Sequence, residues 1–181
     1  MPSIVFVDTE TGGGRPETHS LLTVGLVTLD TKTGEVTRPV QVRVKHDLYC
    51  VSAEAMAVNG IDLIKHHEHA ADAGHAAGEV RAYLQFKRKS RALLGGHNVG
   101  FDVRFLKALL PDWNELVVGA PVDTKVAAQF LIHAGKLPKT LNTRLADLAA
   151  HFGIPLQPHD ALEDATATAR VYAAMLALLR G

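Results

Sequence analysis

The stretch Ile4-Val5-Phe6-Val7-Asp8-Thr9-Glu10-Thr11-Gly12 decides how the rest of the chain is read. Residues 4–7 form a short unbroken apolar run, the pattern of a strand buried on both faces. That run ends in acid. Side chains alternate along a strand, so Asp8 and Glu10 share a face at its end. Two carboxylates facing the same way raise each other's pKa unless positive charge lies between them. A divalent cation meets that need, and hard oxygen ligands suit magnesium or manganese. Taken alone, Asp-x-Glu is also compatible with a turn that carries solvated acids.

Working outward, residues 22–29 follow a glycine-rich segment at 12–14 and are rich in Leu, Val and Thr. A turn signal, Asp30-Thr31-Lys32-Thr33-Gly34, comes next. Val40, Val42 and Val44 then alternate with Gln41, Arg43 and Lys45, which marks a half-buried strand. Together these segments predict an antiparallel meander. Beyond it the spacing predicts helices over 53–58, 70–86, 103–110, 124–133, 144–152 and 161–179, with short strands at 92–94 and 117–122. The expected architecture is an α/β fold, a five-stranded mixed sheet of meander plus parallel strands flanked by helices. No internal repeat, low-complexity tract or linker interrupts residues 1–181, so one domain is expected.

Composition narrows the class. Lys+Arg and Asp+Glu number 19 each, so overall charge is not a means of coating duplex DNA. A site for one strand end needs local charge and metal rather than a basic whole. No apolar stretch is long enough to span a bilayer and no secretion signal opens the chain. Cys50 is the sole cysteine, which suits a reducing cytoplasm and predicts a buried small hydrophobe rather than a reactive thiol.

Two further acidic segments complete the pattern. In Gly95-Gly96-His97-Asn98-Val99-Gly100-Phe101-Asp102 a short strand runs through a Gly/Asn turn into a helix, with Asp102 near its start. An Asp there also serves as a helix cap or opposes the helix dipole. In Pro158-His159-Asp160-Ala161-Leu162-Glu163-Asp164, Asp160 and Glu163 have the spacing of a capping pair. His159 and Asp164 are then free for chemistry.

Asp-x-Glu at a strand end, then His-Asn-x-x-Phe-Asp, then His-x-Ala-x-x-Asp resembles, in that order, the DEDDh branch of the DnaQ-like exonucleases. That family includes the exonuclease domain of the DNA polymerase III epsilon subunit, ribonuclease T and oligoribonuclease. The resemblance runs from Ile4 to about Leu179, with milder matches at Val122-Asp123-Thr124 and Leu145-Ala146-Asp147-Leu148. It implies a ribonuclease H-like fold and 3′→5′ removal of nucleotides from single-stranded DNA or RNA as 5′-monophosphates. By position, Asp8, Glu10, Asp102 and Asp164 would hold two magnesium or manganese ions, and His159 would be the general base. Two-metal chemistry suits the reaction, because one ion activates water and the other steadies the departing oxygen. The resemblance also implies that Thr9, Glu10, Thr11 and Gly12 meet the terminal nucleotide with His159, and that Asn98 and Phe101 support the pocket wall. At Gly12 the family often has Thr, and glycine would let a sugar approach the backbone. Polymerase association and homodimerisation, both found among relatives, stay open, as does a non-catalytic nucleic-acid-binding role on the same fold.

Other clusters have plainer readings. Lys65-His66-His67-Glu68-His69 lacks the spacing of a zinc protease helix and reads as a polar loop. Lys87-Arg88-Lys89-Ser90-Arg91 reads either as a guide for a nucleic-acid backbone or as a solvated helix end. Arg15 lies close enough to the first motif to be a candidate phosphate contact.

Overall fold

The computed structural model describes residues 3–86 and 91–180. Three long strands come first: β1 (Ser3–Thr11), β2 (Leu21–Asp30) and β3 (Val36–Lys45). They form the expected meander, with β1 antiparallel to β2 and β2 antiparallel to β3. Helices α1 (Ala53–Asn59) and α2 (Leu63–His69), strand β4 (Ala71–Asp72) and helix α3 (Ala73–Gln85) follow. Strand β5 (Leu93–Gly96) leads into α4 (Gly100–Leu109), then the single turn α5 (Trp113–Leu116) and β6 (Val122–Asp123). The chain closes with α6 (Thr124–His133), α7 (Leu145–His151) and α8 (Ala161–Arg180).

Among the described residues the sheet has six strands in the order β4-β3-β2-β1-β5-β6, with β5 parallel to β1 and β6 parallel to β5. Five were expected. The additional one is β4, two residues that pair in parallel with the end of β3. The helical pattern of 70–86 hid it, since Asp72 both ends β4 and caps α3 by accepting from the His75 amide at 3.0 Å. The strand expected over 117–122 shrinks to a single bridge between Ala92 and Val117 and the two residues of β6.

Strand β1 is covered on both sides, as its unbroken apolar run requires. Val5 and Val7 join a core with α3, α4 and α5 residues, including Val80, Phe105 and Trp113. Ile4 and Phe6 face the other way, against Ala165 and Ala169 of α8. A third cluster binds α6, α7 and α8 through Leu131, Leu148 and Met175. Each fully buried large aliphatic side chain contributes roughly 1.5–3 kcal/mol relative to exposure. The strand bearing Asp8 and Glu10 is thus clamped between two helical layers.

Two readings need correction. Residues 63–69 form helix α2 rather than a polar loop, because Asp62 caps them, accepting from the Ile64 amide at 3.0 Å and Lys65 at 3.2 Å. The helix also carries a buried His66, whose Nε2 pairs with the Val44 carbonyl at 3.1 Å. Cys50 is exposed rather than buried, because its backbone and not its side chain does the packing. Its amide donates to Ser20 Oγ and its carbonyl accepts from the Ser20 amide. Of the basic run at 87–91, all but Arg91 lies outside the described residues.

Gly25 sets how closely α8 approaches. It pairs across the ladder with Asp8, and a Cβ there would lie 2.1 Å from the Ala161 carbonyl oxygen. The first turn of α8 therefore rests on the bare backbone of β2 beside Asp8. Gly25→Ala should push α8 outward and cost about 1–3 kcal/mol, the usual range for overpacking. The check is thermal unfolding, and a variant that melts with the wild type would remove this role.

Candidate active site

Four carboxylates reach one end of the sheet from three places. Asp8 and Glu10 leave the last residues of β1, where the pairing with β2 shifts register between Glu10 and Thr11. Such bulges bend a strand and re-aim its side chains. Beyond Phe6 the described β1–β5 ladder ends, so the tip of β1 stands free of β5. Asp102 comes from the first turn of α4, where it is buried. Asp164 comes from the first turn of α8. Both helices begin at this region, and a helix N-terminus favours negative charge.

The supporting contacts are specific. Thr9 Oγ1 donates to Asp102 Oδ1 at 2.7 Å, a buried bond. Asp123, just ahead of α6, accepts from the amides of Asn98 at 3.1 Å and Val99 at 3.2 Å, fixing the turn that starts α4. Thr124 Oγ1 donates to the Gly96 carbonyl at 3.2 Å and lies 2.8 Å from His97 Nδ1. On the far side, Asp160 caps α8, accepting from Leu162 at 3.0 Å and Glu163 at 3.1 Å. Gln41 of β3 donates to the same carboxylate at 3.2 Å, and Arg43 donates to Gln41 Oε1 at 2.6 Å.

His159 sits at a left-handed backbone position, φ 71°, unusual for a residue with a Cβ. Its amide donates to Asp164 Oδ2 at 3.1 Å. Potential ligand atoms of Glu10, His159 and Asp164 all lie within 4.8 Å of one another. Strain at a functional turn persists only where the surroundings fix it, and here Asp164 and the Asp160 cap do so.

The family model described as exonuclease (RNase_T) matches residues 5–172. The chain belongs to that exonuclease family. No curated protein matches this exonuclease-family chain significantly by sequence. Among solved structures it is similar to the zinc-bound E. coli exonuclease I–single-stranded DNA complex, with TM-score 0.79 and 20% identity over 99% of this chain. It is also similar to E. coli exonuclease I with a dT13 oligonucleotide, with TM-score 0.78 and 19% identity over 96% of this chain. A third similar structure is the exonuclease I of Methylocaldum szegediense, with TM-score 0.77 and 20% identity over 99% of this chain. The chain spans 41% of the length of each of these three proteins. They share its fold.

The exonuclease-family residues read from sequence fall into three groups. Asp8, Glu10, Asp102 and Asp164 converge, with His159 beside Glu10 and Asp164. Thr9, Glu10, Thr11 and Phe101 line a cavity of about 390 Å³ together with Val58 and Asn59. Gly12 and Asn98 do not line it. A Cβ at Gly12 would lie 2.4 Å from the Cys50 carbonyl oxygen, so close chain packing explains the glycine. Asn98 takes φ 57° in the turn before α4, a conformation Asn tolerates well. Arg15 is exposed, and its carbonyl accepts from Thr18 and His19 in a local turn. Sequence reading missed the Thr9 hydroxyl, the Asp123 clip and the Gln41–Asp160 contact. The alternation of residues 40–45 did place Gln41 and Arg43 on one face, but not what stands over them.

Electrostatics show what the cluster lacks. Burial pushes Asp8 well above the usual carboxylate range, and the charges of Asp102, Asp164, Glu10 and Asp160 push it further. Glu10 is raised to about 7 by burial and then by Asp164, Asp160 and Asp102. Asp102 is raised to about 7 by burial, although hydrogen bonds from Thr9 oppose the shift. Burial also raises Asp164. Among the described residues no Lys or Arg forms an ion pair with any of the four. Asp164 Oδ1 is buried with no hydrogen-bond partner at all. An orphaned carboxylate oxygen inside a set of hard oxygen donors fits a divalent cation.

The sign of the pH dependence follows. A carboxyl raised from about 4 unfolded to about 7 folded holds its proton more tightly in the native state, so stability is lost as pH rises through that window. Buried His66 and half-buried His97 are lowered mainly by desolvation and act in the opposite sense. In metal-free buffer, Asp8→Asn should raise the unfolding temperature more at pH 8 than at pH 5. An equal shift at both pH values would contradict the repulsion.

Proposed function

We propose that the chain is a 3′→5′ exonuclease that removes 5′-mononucleotides from the 3′ ends of single strands with two magnesium or manganese ions. The observation that carries this reading is the convergence of four carboxylates, none in an ion pair with a Lys or Arg among the described residues, and one histidine from segments far apart in sequence, with a buried Asp164 oxygen left free. Asp8, Glu10, Asp102 and Asp164 would hold the ions. Bound divalent ions would supply Lewis-acid stabilisation of phosphate charge and a more acidic water.

The chain's own residues do the rest. The His159 imidazole stands beside Glu10 and Asp164 at the open side of the cluster, where one ring nitrogen can take a proton from the attacking water. Its constrained backbone keeps the ring near that position. The neighbouring cavity offers Phe101, Val58 and the Thr9–Thr11 backbone to a terminal nucleoside, which must be unpaired to enter. Glu10 lines this cavity and also a second one that holds His159 and Arg43. A phosphodiester at Glu10 therefore has room for one nucleoside on one side and for the remaining strand on the other. The oligonucleotides in the exonuclease I complexes favour DNA as the first substrate to test.

The test is a ladder assay on 5′-labelled single-stranded DNA and RNA, with magnesium, manganese or EDTA. Metal-dependent shortening from the 3′ end is expected, abolished in Asp164→Ala. His159→Ala should lose about 10²–10⁴-fold in rate, the range of general-base catalysis, while still binding metal. Intact substrates with folded protein would overturn the activity, and unchanged turnover in His159→Ala would overturn the histidine's role.

A further inference from the structure

We infer that Thr9 is a positioning residue whose hydroxyl braces Asp102 for metal binding, an inference that rests on the metal-dependent reading above. Thr9 stands between Asp8 and Glu10 on β1, so its side chain points to the opposite face of the sheet. That is the face covered by α4, whose Phe105 and Leu106 pack with Val5 and Val7. Asp102 arrives from this helix, not from the strand. Thr9 Oγ1 donates to Asp102 Oδ1 at 2.7 Å across 93 positions of sequence. Both residues are buried, at 7% and 3% exposure, so water does not compete for the bond.

The bond has a definite mechanical effect. Asp8 and Glu10 are carried by a strand clamped on both faces, whereas Asp102 turns about two side-chain torsions and faces like charge. The like charge of Asp8 favours its rotation away, and backbone amides of Asp102 and Thr9 oppose that together with the Thr9 hydroxyl. A charge-assisted hydrogen bond to one oxygen fixes that rotation and leaves the other oxygen for a cation. Thr suits the task because branching at Cβ restricts its χ1, so the hydroxyl itself is held. The residue between the two strand ligands is the one that can reach a carboxylate delivered from the other face. Thr9 thus ties the helix-borne ligand to the strand-borne pair.

The experiment is manganese binding by titration calorimetry on the full chain, comparing wild type, Thr9→Val, Thr9→Ser and Asp8→Ala. Thr9→Val keeps shape and branching and removes only the donor. It should weaken manganese binding by about 10–100-fold, as removal of an outer partner of a ligand does. Thr9→Ser, which restores the hydroxyl, should recover most of the loss. Wild-type affinity in Thr9→Val, or equal weakness in Thr9→Ser, would overturn the role of Thr9 while leaving the metal site intact. Manganese binding in the wild type that Asp8→Ala leaves untouched, or none at all, would overturn the metal-dependent reading and this inference with it.

Discussion

Repulsion among carboxylates is the constraint around which this structure is organised. At roughly 5 Å and an effective dielectric near 20, two like charges cost about 3 kcal/mol, and four gathered acids multiply that cost. The fold nevertheless brings Asp8, Glu10, Asp102 and Asp164 to one corner, burying Asp102 and half-burying the others, and desolvation raises all four. It does so with rigid parts. Strand β1 is held by apolar packing on both faces, α8 rests on Gly25 opposite Asp8, and α4 is clipped at its start by Asp123. Helix N-termini at Asp102 and Asp164 offset some of the charge, but fall short of neutralising it. The remainder is left for a cation.

That division explains how much was legible in the sequence. The unbroken apolar run at residues 4–7 and the alternation at 40–45 report burial directly, so the meander was readable. Helix α6 was expected over 124–133 and occupies Thr124–His133, because Asp123 caps it in a way the sequence states openly. The acids and His159 were singled out by the order of their motifs and the resemblance it carries, and the structure brings them to one corner. What could not be read were contacts between segments far apart. Strand β4 has two residues and exists only through pairing with β3. The buried His66 needs the Val44 carbonyl above it, and a run of histidines gives no hint of that. Gly12 looked like a place for substrate, whereas its bare Cα accommodates Cys50 backbone arriving from 38 positions later.

The same separation holds within the site. Residue types reveal who can bind metal or move a proton, since carboxylate and imidazole chemistry is local. They do not reveal who holds those groups still. Thr9, Asp123 and Gln41 act through bonds to distant partners, which no local pattern of residues predicts. The family relation spans residues 5–172, the stretch that carries all of these contacts.

The central claim is that this corner is built for a pair of divalent cations. Manganese titration into metal-free protein, followed by electron paramagnetic resonance, tests it most directly. The account predicts two ions per chain, close enough for their spins to interact, and loss of that interaction in Asp8→Ala. A single isolated ion, or binding indifferent to Asp8, would contradict it.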